Sequence, residues 1–179
     1  AVGMAMDARY VRNLLDPNAP AGTSVFDYRI WVIAGDGCLQ EGVTSEASSL
    51  AGHQQLGNLV VLYDDNHISI EGDTGVSFSE DVLARYRSYG WNVLHVDMCS
   101  DGSIDVPALD QALAEATSQN QKPTLVRVRN IIGWPAPKLQ NTGKIHGSAL
   151  GDAEVAATKE ILGIDPTQSF QISEAVLSH

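Results

Sequence analysis

Short apolar runs rich in β-branched and aromatic residues alternate along this chain with longer stretches whose apolar residues recur every three or four positions. Ala1 to Leu15 carries Val2, Met6, Tyr10 and Leu14 at helical spacing. With no capping residue and no initiator Met before it, this stretch reads as the middle of a helix, and a missing upstream portion is expected. Tyr28 to Ala34 (YRIWVIA) is nearly continuous in apolar residues beyond its first two positions, which predicts a strand buried on both faces. Val43, Ala47, Leu50 and Ala51 predict a helix over about Leu39 to Leu56, and LVVLY, Leu59 to Tyr63, a second buried strand.

Beyond a polar loop, Ser79 can cap a helix running through Tyr89, and Gly90 stops it. Trp91 to Val96 predicts a third strand. Asp105 then caps a helix with Pro107 in its first turn, where a missing N–H costs nothing. Thr124 to Arg129 predicts a fourth strand. Two prolines and three glycines make Gly133 to Gly147 a long ordered loop. Asp152 restarts a helix to about Leu162, and Gly163 to His179, with Pro166 and few apolar residues, reads as the start of a linker.

This order of strands and helices predicts an α/β fold: a doubly wound, mainly parallel sheet with helices on both faces. Ligands in such sheets bind beyond the carboxyl ends of the strands. Those ends are Gly35-Asp36-Gly37, Asp64-Asp65-Asn66, Asp97 and Asn130 to Gly133, so oxygen-rich and glycine-rich residues gather where a ligand would sit.

Composition removes several function classes. Eleven Lys and Arg against 22 Asp and Glu give a net charge of -11, with no basic run to neutralise a row of phosphates, so nucleic acid is not an expected partner. The apolar runs are strand-sized, far below the roughly 20 residues that span a bilayer, so no membrane embedding is expected. Cys38 and Cys99 lie far apart without C-x-x-C spacing, and the opening has no charged n-region ahead of an apolar h-region. A reducing, cytoplasmic setting is expected.

Gly35-Asp36-Gly37 falls between a strand and a helix. The glycines permit a sharp turn and close approach of backbone to a ligand, and a helix N-terminus favours an anion. A carboxylate between them would repel that anion unless Asp36 binds a divalent cation bridging it to a diphosphate. Asn66, 30 residues on, can add a neutral carbonyl oxygen, and Ile68 a main-chain oxygen. Magnesium favours about six oxygens, so three from protein, two from diphosphate and one from water fill its shell. A dinucleotide fingerprint fails because Gln40 stands where G-x-G-x-x-G needs its last glycine. A phospho-receiver fails because its acidic pair should end the first strand, not the second.

These residues resemble a known family. GDG followed about 27 residues later by an Asn-containing pair is the thiamine diphosphate motif. GDGCLQEG, SLAG, LYDDNHISIEGDT and YGW, followed by IIGWPAP and GKIHGSALGDAEVA, closely resemble transketolase in the same order. The resemblance runs from Ala1 to about Gly163. It implies the later part of a thiamine diphosphate-binding domain over residues 1–163, truncated at its N-terminus, with a linker starting over 164–179.

The resemblance implies that Asp36, Asn66 and the carbonyl of Ile68 hold Mg2+ or Ca2+, and that Gly35 and Gly37 turn backbone to the diphosphate. It implies that Ile70 and Ile132 grip the cofactor's rings and that His146 touches the diphosphate and assists proton transfer near substrate. Glu41 and Glu46 resemble acidic residues at a subunit interface, linked towards the partner's active site, although on one continuous helix they would stand about 140° apart. Asp65 stands where many thiamine enzymes carry Asn; transketolases also carry Asp there, which narrows the resemblance to that family. His53, His67 and His95 receive no catalytic role; His95 reads as a half-buried strand residue and Cys38 as a small packed one.

The implied reaction moves a two-carbon ketol unit from a ketose phosphate to an aldose phosphate, the cofactor supplying an electron sink for carbon–carbon cleavage. The implied partners are sugar phosphates and a second subunit of a homodimer, whose pyrimidine-binding domain supplies the activating glutamate. That domain is not in these residues, so the chain alone is expected to be inactive. A dihydroxyacetone synthase and a noncatalytic anchoring chain of a split enzyme are the alternatives.

Overall fold

The computed structural model describes residues 1–70, 72–119 and 121–179. Glu71, inside the LYDDNHISIEGDT block, lies outside the described residues. Four parallel strands form the central sheet: β1 (Ile30–Gly35), β2 (Leu59–Asp65), β5 (Asn92–Val96) and β6 (Thr124–Arg129), in the order β1-β2-β6-β5. A small antiparallel pair, β3 (Ile68–Ser69) and β4 (Gly72–Asp73), follows the end of β2. The helices are α1 (Val2–Leu15), α2 (Asp36–Gln40), α3 (Gly42–His53), α4 (Val82–Ser88), α5 (Val106–Ser118), α6 (Asp152–Ile161) and α7 (Glu174–Leu177).

Two cores sit on opposite faces of the sheet. On one, Ile30, Ala34, Leu59, Val61, Tyr63 and Leu125 meet Ala5 of α1, Ala51 of α3, and Val82 and Tyr86 of α4. On the other, Val60, Val96, Val126 and Val128 meet Ala112 and Ala116 of α5. The steps from β1 to β2 and from β2 to β5 cross the sheet in one direction with their helices on the first face. The step from β5 back to β6 reverses and puts α5 on the second, as right-handed crossovers require. The expected doubly wound sheet is therefore the observed one.

Several local expectations are corrected. β1 is not covered on both faces: Trp31 is 44% and Ile33 77% exposed, while Ile30 and Ala34 are buried at 8%. The strand begins at Ile30, and Tyr28 lies outside it, exposed. The helix expected over Leu39 to Leu56 is two helices broken at Glu41, whose ψ of 133° is extended. The first begins on Asp36 itself and is five residues long, so it brings little helix dipole to the site. Asp81, not Ser79, caps α4, its carboxylate accepting from Ala84 N–H; the aspartate is two residues closer to the first turn. His95 and Cys38 are exposed, not half-buried or packed.

Other signals match. Gly90 ends the turn after α4 at φ +87°, and Asp105 caps α5 through Ala108 N–H with Pro107 in the first turn. Residues 133–147 form a loop whose regular structure is one 3-10 turn, Gly143–Ile145. Residues 163–179 carry only the short α7 and are exposed.

One contact fixes how closely α3 approaches the turn between α4 and β5. Trp91 Nε1 donates to the Ser48 carbonyl at 2.8 Å, and a methyl on Gly52 would lie 1.8 Å from the Tyr89 carbonyl oxygen. Replacing glycine by alanine inside a helix ordinarily helps by about 1 kcal/mol, but here the backbone must separate. Gly52→Ala is expected to lower stability by about 1–3 kcal/mol, read as a lower urea midpoint; an unchanged or raised midpoint would contradict the packing.

Candidate functional site

The strand register builds the site. Gly35 pairs with Asp64 across β1 and β2, and Asp65 with Arg129 across β2 and β6. The chain leaving β1 therefore emerges beside the chain leaving β2. Asp36, one residue past the pairing, is buried at 3% and Asn66 at 7%. Tyr63 O–H donates to Asp36 Oδ1 at 2.6 Å, and the main-chain N–H of His67 donates to Asp36 Oδ2 at 3.0 Å. The Asp36 carboxylate thus touches the peptide between Asn66 and Ile68. Asn66 Oδ1 accepts from Ile68 N–H at 2.9 Å. His67, whose N–H reaches Asp36, sits at the turn of this segment with φ +61°.

The charges around this cluster are compensated unevenly. Asp65 faces two guanidinium groups, Arg129 Nη1 at 3.6 Å and Arg127 Nε at 3.7 Å, and the His67 ring Nε2 lies 3.1 Å away. Arg127 also pairs with Asp97 at 2.5 Å. Among the described residues, Asp36 is held by a neutral phenol and a peptide N–H, and Asp64 by the side-chain amides of Asn66 and Asn130. Burial, with the hydrogen bond to Asp36 and the negative charges of Asp36 and Asp65, pushes the Tyr63 phenol well above its ordinary 10.0. It therefore stays a donor. A cleft of about 510 Å³ opens beside Asp36, Tyr63, Asp65, His67 and Arg127.

These donors suit a hard cation. Among the described residues, no group of three or more His, Cys, Asp or Glu side chains could hold a metal by itself. An ion at Asp36 would instead draw on a carboxylate, an amide oxygen, a main-chain carbonyl and oxygens from outside the protein, a set that suits Mg2+ or Ca2+. The turn at Gly35-Asp36-Gly37 requires no positive φ, contrary to the usual reason for such glycines. Space is the reason left: a Cβ on Gly35 would meet nothing within 4 Å, and on Gly37 only Ser69 Oγ at 3.9 Å.

The remaining candidates divide into two groups. The 133–147 loop is well anchored. Glu154 of α6, buried at 7%, accepts from Lys138 N–H at 2.7 Å and Leu139 N–H at 2.9 Å. Gly133, at φ +73°, packs so closely on Ile145 that a Cβ would fall 2.1 Å from its Cδ1. Ile132 and His146 thus flank a direct contact, and the turn carrying Ile145 lies against β4. His146 is exposed and Ile132 half-buried; Ile70 is 71% exposed, so it is not a core residue. Glu41 and Glu46 belong to the other group. Glu41 is the N-cap of α3 and Glu46 lies within that helix, both exposed and bonded to no other described side chain. The angle expected on one continuous helix does not apply.

Sequence reasoning missed Tyr63, Asn130 and Glu154. Tyr63 had a signal, because an apolar strand ending Tyr-Asp-Asp places the phenol on the same face as Asp65. Glu154 had none, since a glutamate in a first helical turn usually faces water.

A sequence model described as "Transketolase, thiamine diphosphate binding domain" matches residues 1–179. The chain belongs to the transketolase family. A Mycobacterium leprae transketolase is 56% identical over 179 residues, all of this chain and 25% of the relative. Transketolase 2 of Saccharomyces cerevisiae is 44% identical over all of this chain and 25% of its own length. Among solved structures, a Leishmania mexicana transketolase superposes with a TM-score of 0.89 at 37% identity, covering 99% of this chain and 25% of that one. A Pichia stipitis transketolase in complex with sedoheptulose-7-phosphate gives 0.85 at 43% identity, over 99% of this chain and 25% of that one. The chain thus spans about a quarter of the length of these relatives, and its fold is that of transketolase structures.

The Tyr63–Asp36 bond carries a prediction of its own. Tyr63→Phe is expected to lower stability by about 1.5–3 kcal/mol, since the bond is made to a carboxylate. In the parent chain the folded-state phenol value is raised, so its contribution is full below pH 10.0 and falls away as pH rises beyond it. Urea midpoints against pH should converge for the two proteins in that alkaline range; parallel curves would contradict the assignment.

Proposed function

We infer that this chain is the cofactor-anchoring segment of a transketolase that transfers a two-carbon ketol unit from a ketose phosphate to an aldose phosphate. The observation that carries this reading is the hydrogen bond from His67 N–H to Asp36, which joins the two motif loops. Asp36, Asn66 and the carbonyl of Ile68 would hold Mg2+ or Ca2+, and Gly35 and Gly37 leave room for the diphosphate beside it. Ile70 and Ile132 offer apolar surface to the cofactor's rings. His146 would bind the diphosphate and hold or move a proton near the substrate, and Glu41 and Glu46 would serve a subunit contact. When bound, thiamine diphosphate supplies the electron sink for carbon–carbon cleavage.

The Pichia stipitis structure, solved with a sugar phosphate, supports this substrate class. Sugar phosphates and a second subunit of a homodimer are the proposed partners, in a cytoplasmic enzyme of the pentose phosphate pathway. Residues 1–163 form the later part of the diphosphate-binding domain and 164–179 begin a linker. A glutamate from a pyrimidine-binding domain outside these residues would complete the cofactor's activation, so the 179-residue chain alone is expected to show no two-carbon transfer; full transfer by it would refute that division of labour.

In a polypeptide of the relatives' length carrying this segment, Asp36→Ala and Asn66→Ala should each weaken Mg2+-dependent thiamine diphosphate binding by more than about 100-fold, since even outer-shell partners of a metal are worth 10–100-fold. Calorimetric titration with and without Mg2+ reads this. Unchanged affinity in both variants would remove the ligand assignment.

A further inference from the structure

Asp64 stands where two of the proposed cofactor segments meet, and the functional reading above leaves it unused. Its Oδ1 accepts from Asn66 Nδ2 at 3.2 Å and from Asn130 Nδ2 at 2.5 Å. Asn130 is itself anchored: Nδ2 also donates to the Val128 carbonyl at 3.0 Å, and its main-chain N–H donates to the Asp65 carbonyl at 3.2 Å. On its other side, Asn66 Oδ1 accepts from Ile68 N–H at 2.9 Å.

Both neighbours of the Asn66 amide demand the same orientation. Reversed, the amide would turn its oxygen to the Asp64 carboxylate and its NH2 to the Ile68 N–H, setting acceptor against acceptor and donor against donor. With the nitrogen committed to Asp64, the oxygen stays on the side of Ile68 and His67, whose N–H groups reach Asn66 and Asp36 respectively. A carbonyl oxygen has two lone pairs, and Ile68 N–H takes one. The anion behind the NH2 also polarises the amide and makes its oxygen a stronger donor, as outer-shell carboxylates do for other metal ligands.

We propose that Asp64 is a positioning residue that presents the oxygen, not the nitrogen, of the Asn66 amide to a divalent cation held with Asp36, and couples that loop through Asn130 to the segment carrying Ile132. The inference rests on the cofactor reading above and adds to it the group that selects the amide's orientation. Asp64 does not touch the cation in this arrangement; it acts through Asn66.

Two measurements test it. In the 179-residue chain without ligands, the Asn66 side-chain NH2 signal, assigned by its loss in Asn66→Ala, should exchange slowly with water in the parent and fast in Asp64→Leu. Asp64→Asn keeps an acceptor oxygen and should restore slow exchange. In the longer polypeptide, Asp64→Leu should weaken Mg2+-dependent thiamine diphosphate binding by about 10–100-fold, with Asp64→Asn recovering most of it. Asp64→Ser, too short to reach either amide, replaces Asp64→Leu if that variant does not fold. Equal NH2 exchange in parent and Asp64→Leu overturns the inference, as does altered exchange with unaltered Mg2+-dependent affinity. Parent protein that binds thiamine diphosphate no better with Mg2+ than without overturns the cofactor reading beneath it, whatever the NH2 exchange shows.

Discussion

The register of β1 on β2 governs everything at the carboxyl end of the sheet. Gly35 lies opposite Asp64, so the first residue beyond β1 and the first beyond β2 leave the sheet side by side. A slip of one residue would turn Tyr63 and Asp65 to the face of α5 and carry Asp64 to the other, since side chains alternate along a strand. That slip would set the Asp65 carboxylate on the face that holds Val96, Val126 and Ala112 and turn it away from Arg127 and Arg129. The pairing of β2 with β1 and β6 therefore fixes the position of the polar cluster at their carboxyl ends. The hydrogen bond from His67 N–H to Asp36 follows from that register.

The cluster handles its three carboxylates in two ways. Asp65, at the end of a central strand, has Arg129 and Arg127 as counter-charges and so serves the fold. Among the described residues, the hydrogen bonds to Asp36 and Asp64 come from neutral donors, which leave their charge. A buried carboxylate with no counter-charge is costly in a folded protein. Asp36, buried beside a loop with room for a ligand, and the half-buried Asp64 together make a local negative field of the kind a divalent cation would relieve. The mechanism of anchoring and the stability of the loops are in this respect one problem.

Much of this was legible from residues alone, for a definable reason. Strands such as Leu59–Asp65 and Thr124–Arg129 are built on apolar runs; the second has its expected bounds, and the first continues two residues past the expected end at Tyr63. Gly35-Asp36-Gly37 and Asp64-Asp65-Asn66 were placed correctly because a parallel sheet puts all its carboxyl ends on one edge. The helix break at Glu41 was not legible: Gly42 is the only local sign, and helices tolerate an isolated glycine. Tyr63, Asn130 and Glu154 act through contacts 27, 66 and 16 residues away in sequence, set by topology and not by local pattern. The glycines of the GDG turn were read both for a sharp turn and for close approach of backbone; the turn needs no positive φ, and the open space beside them fits the second reason.

β1 shows what such a reading does and does not measure. Its residues are as apolar on the face bearing Trp31 and Ile33 as on the face bearing Ile30 and Ala34, which is the signature of burial on both sides. In the structure one face packs on Ala5 and Ala51, and the other is open. α5 leaves that region uncovered because the reversal at β5 places it over β5 and β6. A strand that alternated apolar and polar residues would suit the environment these elements provide; YRIWVIA does not alternate. The pattern reports the apolar content of both faces and not the cover that the neighbouring elements of this chain supply. Reading β1 as doubly buried was therefore right for the face bearing Ile30 and Ala34 and wrong for the face bearing Trp31 and Ile33.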